Sequence, residues 1–127
     1  MEQPMKPDIA GLEKLAEYMT TVPQDKFDMS EWYEEAPCGA KACILGHASV
    51  LFPSRFKRVH IYQDTYSESY KIQHRTAGVE GSLAFAVGFQ IDYADASRIT
   101  LNPRTITPEQ AARTIRSLVT RLKRRKA

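Results

Sequence analysis

Proline divides this chain into short segments, and that division limits the length of the helices and strands that the chain can form. Pro23, Pro37, Pro53 and Pro103 lie inside the sequence, and Pro108 stands in the pattern Thr-Pro-Glu-Gln. Proline lacks an amide hydrogen and disfavours the helical conformation at the residue before it, so helices tend to end near an internal proline. The first turn of a helix is the exception. We therefore expect several short elements and one long helix after Pro108.

Residue patterns between the prolines predict six helical segments. Asp8 is placed as the N-cap of the first, in which apolar residues recur at three- and four-residue spacing. The last begins with Thr107 as N-cap and Gln110 where a capping box requires it. The predicted segments are residues 8–20, 30–35, 39–51, 80–89 and 92–99, and a helix that follows residue 107.

The stretch from Arg58 to Arg75 has a different periodicity, because β-branched and aromatic residues alternate with polar ones. A period of two is typical of half-buried strands, so this stretch predicts a β-hairpin connected by residues 63–68. The length of the chain favours one domain. The sequence therefore predicts a mainly helical α+β domain over residues 1–127, with four to six helices, one small antiparallel β-hairpin and a basic, frayed tail at residues 123–127.

Composition excludes some classes of protein. No run of about 18 apolar residues occurs, so we expect no membrane span. No apolar core of a secretory signal follows the N-terminus, and the only asparagine, Asn102, precedes a proline and forms no glycosylation sequon. Two cysteines occur, Cys38 and Cys43. These features predict a protein of the reducing cytoplasm.

Charge is distributed unevenly along the chain. Residues 1–37 carry nine acidic and three basic side chains, whereas no acidic residue occurs after position 109. The basic residues near the C-terminus predict a surface that could neutralise phosphates without reading sequence. An alternative is that they only complement the dipole of the last helix. The candidate nucleic-acid-binding residues are Arg113, Arg116, Arg121, Lys123, Arg124, Arg125 and Lys126.

The acidic segment is interrupted by aromatic residues, a pattern that suits a contact surface for a basic partner. Aromatic side chains anchor such contacts, and charges steer the approach of the partner. The alternative is a solvated turn in which Trp32 packs inward and Asp28 or Ser30 caps a helix. The candidate partner-binding residues are Asp28, Glu31, Trp32, Tyr33, Glu34 and Glu35.

Two cysteines and a histidine lie close together in the segment that predicts a buried helix. Cys43 and His47 share a helical face, and Cys38 stands at or before the start of that helix, so these three residues are metal-ligand candidates. Zinc needs a fourth ligand, for which Asp28, His60 and His74 are candidates, but the usual two pairs of ligands are absent. The simpler interpretation is that the three residues pack in the core.

Cys38 also has a possible chemical role, because a thiol at a helix N-terminus gains thiolate character. His47 or His60 could then act as its base, and a disulfide with Cys43 is a further alternative. No acidic residue is evidently placed to orient such a histidine. No glycine-rich phosphate loop, hydrolase triad or paired-carboxylate motif occurs, so we expect neither a cofactor nor an enzyme activity.

Three motifs carry a resemblance to a group of small uncharacterised proteins of bacteria and their phages. They are Leu12-x-x-Leu15-Ala16, Lys26-Phe27-Asp28-Met29 followed by Trp32, and Cys38-Gly39-x-x-x-Cys43-x-x-Gly46-His47-Ala48. The chain is similar to this group over about half of its length. The group has tryptophan as well as histidine at the position of His47, which implies a packing role there.

The resemblance implies an accessory protein of a phage or mobile element that acts in the cytoplasm of the host. With the uneven charge, it predicts a protein that binds a host complex and inhibits it, for example an antiviral defence complex such as a CRISPR effector. In this hypothesis the acidic segment mimics the charge of nucleic acid. Nucleic-acid binding by the last helix is the first alternative, and a metal- or thiol-dependent enzyme is the second.

Overall fold

In a computed structural model of the protein, helices cover one face of a four-stranded antiparallel sheet. The structure describes residues 6–29, 31–36, 39–63, 68–102 and 105–126. The helices are α1 (Ile9–Met19), α2 (Ile44–Leu51), α3 (Ser82–Phe89), α4 (Tyr93–Thr100) and α5 (Pro108–Lys126), with a short 3₁₀ helix at Gln24–Lys26. The strands are β1 (Tyr33–Ala36), β2 (Gly39–Lys41), β3 (Phe56–Gln63) and β4 (Glu68–His74), in the order β2-β1-β4-β3.

The predicted fold class is confirmed, since the chain forms an α+β structure with the expected hairpin and five α-helices among the described residues. The hairpin consists of β3 and β4, and its register places Arg58 opposite Ile72. Pairing shifts by one residue between His60 and Tyr62. Residues 123–126, which the sequence assigns to a frayed tail, continue α5 as helix.

Two predicted helical segments are wrong in part. The segment predicted as a helical turn at residues 30–35 forms β1 from Tyr33 onward, and the helix predicted from residue 39 begins only at Ile44, after β2. Strand pairing explains the difference. Glu34 lies opposite both Lys41 of β2 and Ser69 of β4, so β1 gains hydrogen bonds on both sides that an isolated turn would not make.

The predicted helix caps are confirmed. The Asp8 side chain accepts a hydrogen bond of 3.0 Å from the amide of Gly11 and begins α1. At α5, the Gln110 side chain accepts from the Thr107 amide at 3.0 Å, while the Thr107 hydroxyl oxygen accepts from the Gln110 amide at 3.1 Å. This reciprocal pair is a complete capping box. Among the described helices, none is long and apolar enough to cross a bilayer.

The core lies between the sheet and the helices. Phe56 of β3 and Ile72 of β4 are buried, and the Phe56 ring lies 5.9 Å from the ring of Phe89 in α3. α2 passes close to the chain at Trp32, where a methyl group on Gly46 would overlap the Trp32 carbonyl oxygen. Glycine at position 46 therefore permits the close approach of α2 to this segment.

Candidate partner-binding site

The acidic segment of the sequence becomes β1 and the turn that leads into it. The Asp28 amide donates to the Ala42 carbonyl at 3.0 Å, and the Glu31 amide donates to the Asp28 carbonyl at 3.2 Å. Burial, together with the nearby Glu34 and Asp28 carboxylates, raises the pKa of Glu31. Trp32 is half-buried and packs against the core, as the alternative interpretation of this segment expected. The segment is thus part of the folded core, with only some side chains left at the surface.

Two carboxylates of β1 have cationic partners on other strands. Glu34 Oε1 lies 3.7 Å from Lys41 Nζ of β2, and Glu35 Oε1 lies 3.8 Å from Arg58 Nη1 of β3. The Glu34–Lys41 pair joins adjacent strands and stabilises the sheet, whereas Glu35 reaches Arg58 across β4, and in both pairs the opposite charges offset one another's field. Where the sequence predicts an acidic contact surface, the structure therefore has a surface of mixed charge.

β1, β3 and β4 bring six polar and aromatic side chains together on the helix-covered face of the sheet, near the end where the hairpin turns. Tyr33, Tyr70 and His60 lie side by side, and their rings are 5.8 Å and 5.2 Å apart in that order. The Arg58 guanidinium carbon lies 4.4 Å from the centre of the Tyr33 ring. We call this group the tyrosine–arginine face; its residues are Tyr33, Glu35, Arg58, His60, Glu68 and Tyr70.

Carboxylates hold both tyrosine hydroxyls of this face. Tyr33 donates to Glu35 Oε1 at 3.3 Å, and Tyr70 donates to Glu68 Oε2 at 2.7 Å. The Glu68 hydrogen bond raises the pKa of Tyr70 to about 12, and burial is the main cause of the raised pKa of Tyr33. Both phenols are therefore protonated near neutral pH and act as hydrogen-bond donors.

A cleft of about 450 Å³ opens at this face. It is lined by Glu35, Lys57, Arg58, Tyr70 and Arg75, so basic side chains outnumber acidic ones. Arg75 is held in place because its Nε donates to the Pro53 carbonyl at 2.6 Å.

No family model, curated protein or solved structure matches the chain. The interpretation of the site therefore depends on its own geometry.

In the part of the chain that the structure describes, the metal-ligand candidates Cys43 and His47 pack in the interior. Cys43 is buried at the N-cap of α2, where its thiol donates to the Trp32 carbonyl at 3.8 Å. Burial raises its pKa to about 11, so it is a neutral thiol near pH 7. His47 Nε2 lies 2.9 Å from the Lys26 carbonyl oxygen, between the rings of Tyr18 and Phe27.

Metal and disulfide alternatives depend on Cys38, which lies outside the described residues. Within residues 6–29, 31–36, 39–63, 68–102 and 105–126, no three histidine, cysteine or acidic side chains are grouped to hold a metal ion. His60 contacts Tyr70 on the sheet, whereas His47 is buried under α1 and the 3₁₀ helix. The two histidines proposed as bases thus occupy different parts of the fold.

The basic candidates of α5 divide into two groups. Arg116 lies 3.4 Å from Glu17, Lys123 lies 3.6 Å from Glu13, and Arg125 lies 3.0 Å from Asp95. These three cations attach α5 to α1 and α4. Arg113 and Arg124 are exposed, and Arg121 lies at the boundary with α4. Lys126 is the last residue of the helix.

Sequence reasoning missed the residues of β3 and β4 that complete the tyrosine–arginine face. The sequence assigns Arg58, Glu68 and Tyr70 only to the hairpin and its connection, and His60 only as a possible zinc ligand or base. A signal was present, because Arg58 and His60 occupy the same alternating positions as the buried Phe56. Polar residues in the inward register of a strand indicate that the helical layer does not cover that end of the strand.

Proposed function

We propose that this protein acts by binding a protein partner through the tyrosine–arginine face. The observation that carries the proposal is the geometry of Arg58, whose guanidinium is held over Tyr33 and near Glu35 while its side chain remains 42% exposed. Arginine and tyrosine are enriched among residues that contribute most to binding energy. A side chain already held in one geometry loses less conformational freedom on binding.

The mixed charge of this surface bears on the kind of partner. Glu34 and Glu35 are paired, and the cleft beside them contains Lys57, Arg58 and Arg75. A pure mimic of nucleic-acid charge would present carboxylates without cationic neighbours, so we favour a partner that offers its own carboxylates to Lys57, Arg58 and Arg75. That this partner is a host antiviral complex follows from the resemblance to phage proteins and stays a prediction.

A pull-down from nuclease-treated host lysate tests this proposal. Arg58→Ala and Tyr70→Ala remove two partly exposed side chains of the tyrosine–arginine face, and we expect each to weaken partner capture by roughly fivefold or more, as truncation of an interface hot spot does. Arg113→Ala, an exposed arginine on α5, is the matched control and is expected to capture the partner normally. Circular dichroism verifies that each variant is folded. Full capture by both sheet variants would refute the proposed face.

A further inference from the structure

A second cleft, separate from the sheet, lies between α4 and α5. Its volume is about 520 Å³, which is within the range of sites that hold small ligands. Hydroxyl, amide and guanidinium groups line it, with an exposed leucine beside them. The lining residues are Ser97, Arg98, Leu101, Asn102, Thr114, Ser117 and Arg121.

This cleft has an excess of positive charge. Asp95 is the nearby carboxylate, and its two oxygens lie 3.0 Å from Arg125 and 3.8 Å from Arg98. Arg121 forms no ion pair with any described residue. Two of the three guanidiniums in this part of the fold thus share one carboxylate, and that of Arg121 has none. A bound anion would offset the remaining charge.

Unsatisfied hydrogen-bonding groups are concentrated in the same place. Among the described residues, three buried side-chain polar atoms have no hydrogen-bond partner, and two of them, Ser97 Oγ and Arg121 Nε, belong to residues that line this cleft. Buried polar groups without partners are rare, because each forfeits a hydrogen bond it would make to water. Both atoms are closed to solvent, so a phosphate oxygen could accept from them only after a side-chain rotation opens them to the cleft.

We propose that the α4–α5 cleft binds a phosphate group of a single-stranded nucleic acid. Arg98 and Arg121 supply the charge, Ser117 supplies a hydroxyl at the exposed side, and Leu101, which is 65% exposed, offers an apolar contact to the attached nucleoside. Arg113 and Arg124 continue the positive surface along the outer side of α5 over about 16 Å, at the rise of an α-helix. The cleft therefore orients one phosphate, and the helix contacts its neighbours.

Fluorescence anisotropy with a labelled oligothymidine of about a dozen nucleotides, within the site size of small single-strand-binding domains, tests this inference. Arg121→Gln removes the arginine that lacks an ion pair and is expected to weaken binding roughly tenfold, as loss of a charged hydrogen bond does. The dependence of log K on log salt should become shallower by about one. Arg116→Gln, on the same helix but paired with Glu17, is the control and is expected to change binding by about twofold at most.

Further arms of the experiment separate the possible outcomes. Ser117→Glu places a carboxylate in the cleft from an exposed position and is expected to abolish binding without unfolding the helix. Inorganic phosphate should compete with the oligonucleotide for the wild type. No binding by the wild type, equal losses in Arg121→Gln and Arg116→Gln, or equal competition by polyglutamate and by unlabelled oligonucleotide would each overturn the inference. Partner capture through the sheet should be unaffected by Arg121→Gln.

Discussion

His47 shows how one side chain joins distant segments of the chain. Its Nε2 lies 2.9 Å from the Lys26 carbonyl oxygen, which also accepts from the Ala42 amide at 3.1 Å. The ring packs between Tyr18 of α1 and Phe27 at the end of the 3₁₀ helix. Its second nitrogen, Nδ1, is buried and has no hydrogen-bond partner among the described residues. The histidine thus attaches the start of the acidic segment to α2.

Burial lowers the pKa of His47 below its ordinary value of 6.5, and this shift makes stability depend on pH. The unfolded chain binds a proton near pH 6.5 that the folded chain does not yet bind. The free energy of unfolding therefore falls as pH falls from about 6.5 toward the lower pKa of the folded state. We expect urea unfolding to show this loss in the wild type and a smaller loss in His47→Phe, which cannot titrate.

An exposed histidine provides the control for this prediction. His60→Gln replaces an exposed histidine of β3 and is the control substitution. His47→Phe also loses the hydrogen bond to Lys26, at a cost of about 1 kcal/mol that is largely independent of pH. The comparison therefore concerns the slope with pH and not the absolute stability. Equal slopes in the wild type and His47→Phe would show that His47 does not carry the effect.

At the scale of elements, α5 depends on the capping box that begins it. Thr107 and Gln110 satisfy amide groups that the first turn of the helix would otherwise leave without partners. We expect Thr107→Ala to lower the free energy of unfolding by about 1 kcal/mol, the usual cost of losing an N-cap hydroxyl. Thr120→Ala, at an exposed position of the same helix, should change it by less than about 0.5 kcal/mol. Denaturant titration measures both, and equal effects would contradict a specific role for the cap.

The elements that the sequence predicted well are those whose ends are marked by local contacts. Asp8 and Thr107 bond to groups three residues away, so residue types alone indicate where α1 and α5 begin. β1 was missed because one of its two partners, β4, is distant in sequence, and β2, whose partner is β1, was missed with it. Tyr33 pairs with Tyr70, and glutamate at positions 34 and 35 is unfavourable in strands until Lys41 and Arg58 offset it.

The candidate site was predictable only in part, for the same reason. The sequence identified Tyr33 and Glu35 as surface candidates, but Arg58 and Tyr70 join them only after β4 pairs with β1 on one side and β3 on the other. Charge pairing then changes the surface that the sequence predicts. The carboxylates that follow one another in sequence lie beside cationic side chains in the folded chain. The net charge of a segment predicts how strongly a charged partner is attracted from a distance, but it does not predict which charges lie side by side on the folded surface.

At the scale of the whole molecule, the two proposed sites lie on different elements. The tyrosine–arginine face belongs to β1, β3 and β4, whereas the second cleft belongs to α4 and α5. α5 packs mainly on α1 and α4, and the sheet packs mainly on α2 and α3. No side-chain contact in the described part of the chain joins Arg58 to Arg121. The two proposed sites thus share no helix or strand.

This separation predicts that substitutions at the two sites act additively. Arg58→Ala should weaken protein capture and leave oligonucleotide binding unchanged, and Arg121→Gln should do the opposite. For each ligand, the binding free energy of the double variant should differ from that of the wild type by the sum of the changes in the two single variants. Residues without shared partners usually add to within about 0.5 kcal/mol. Anisotropy with the oligonucleotide, in the presence and absence of the captured protein, measures the coupling directly. A coupling well above that limit would contradict the independence of the two sites.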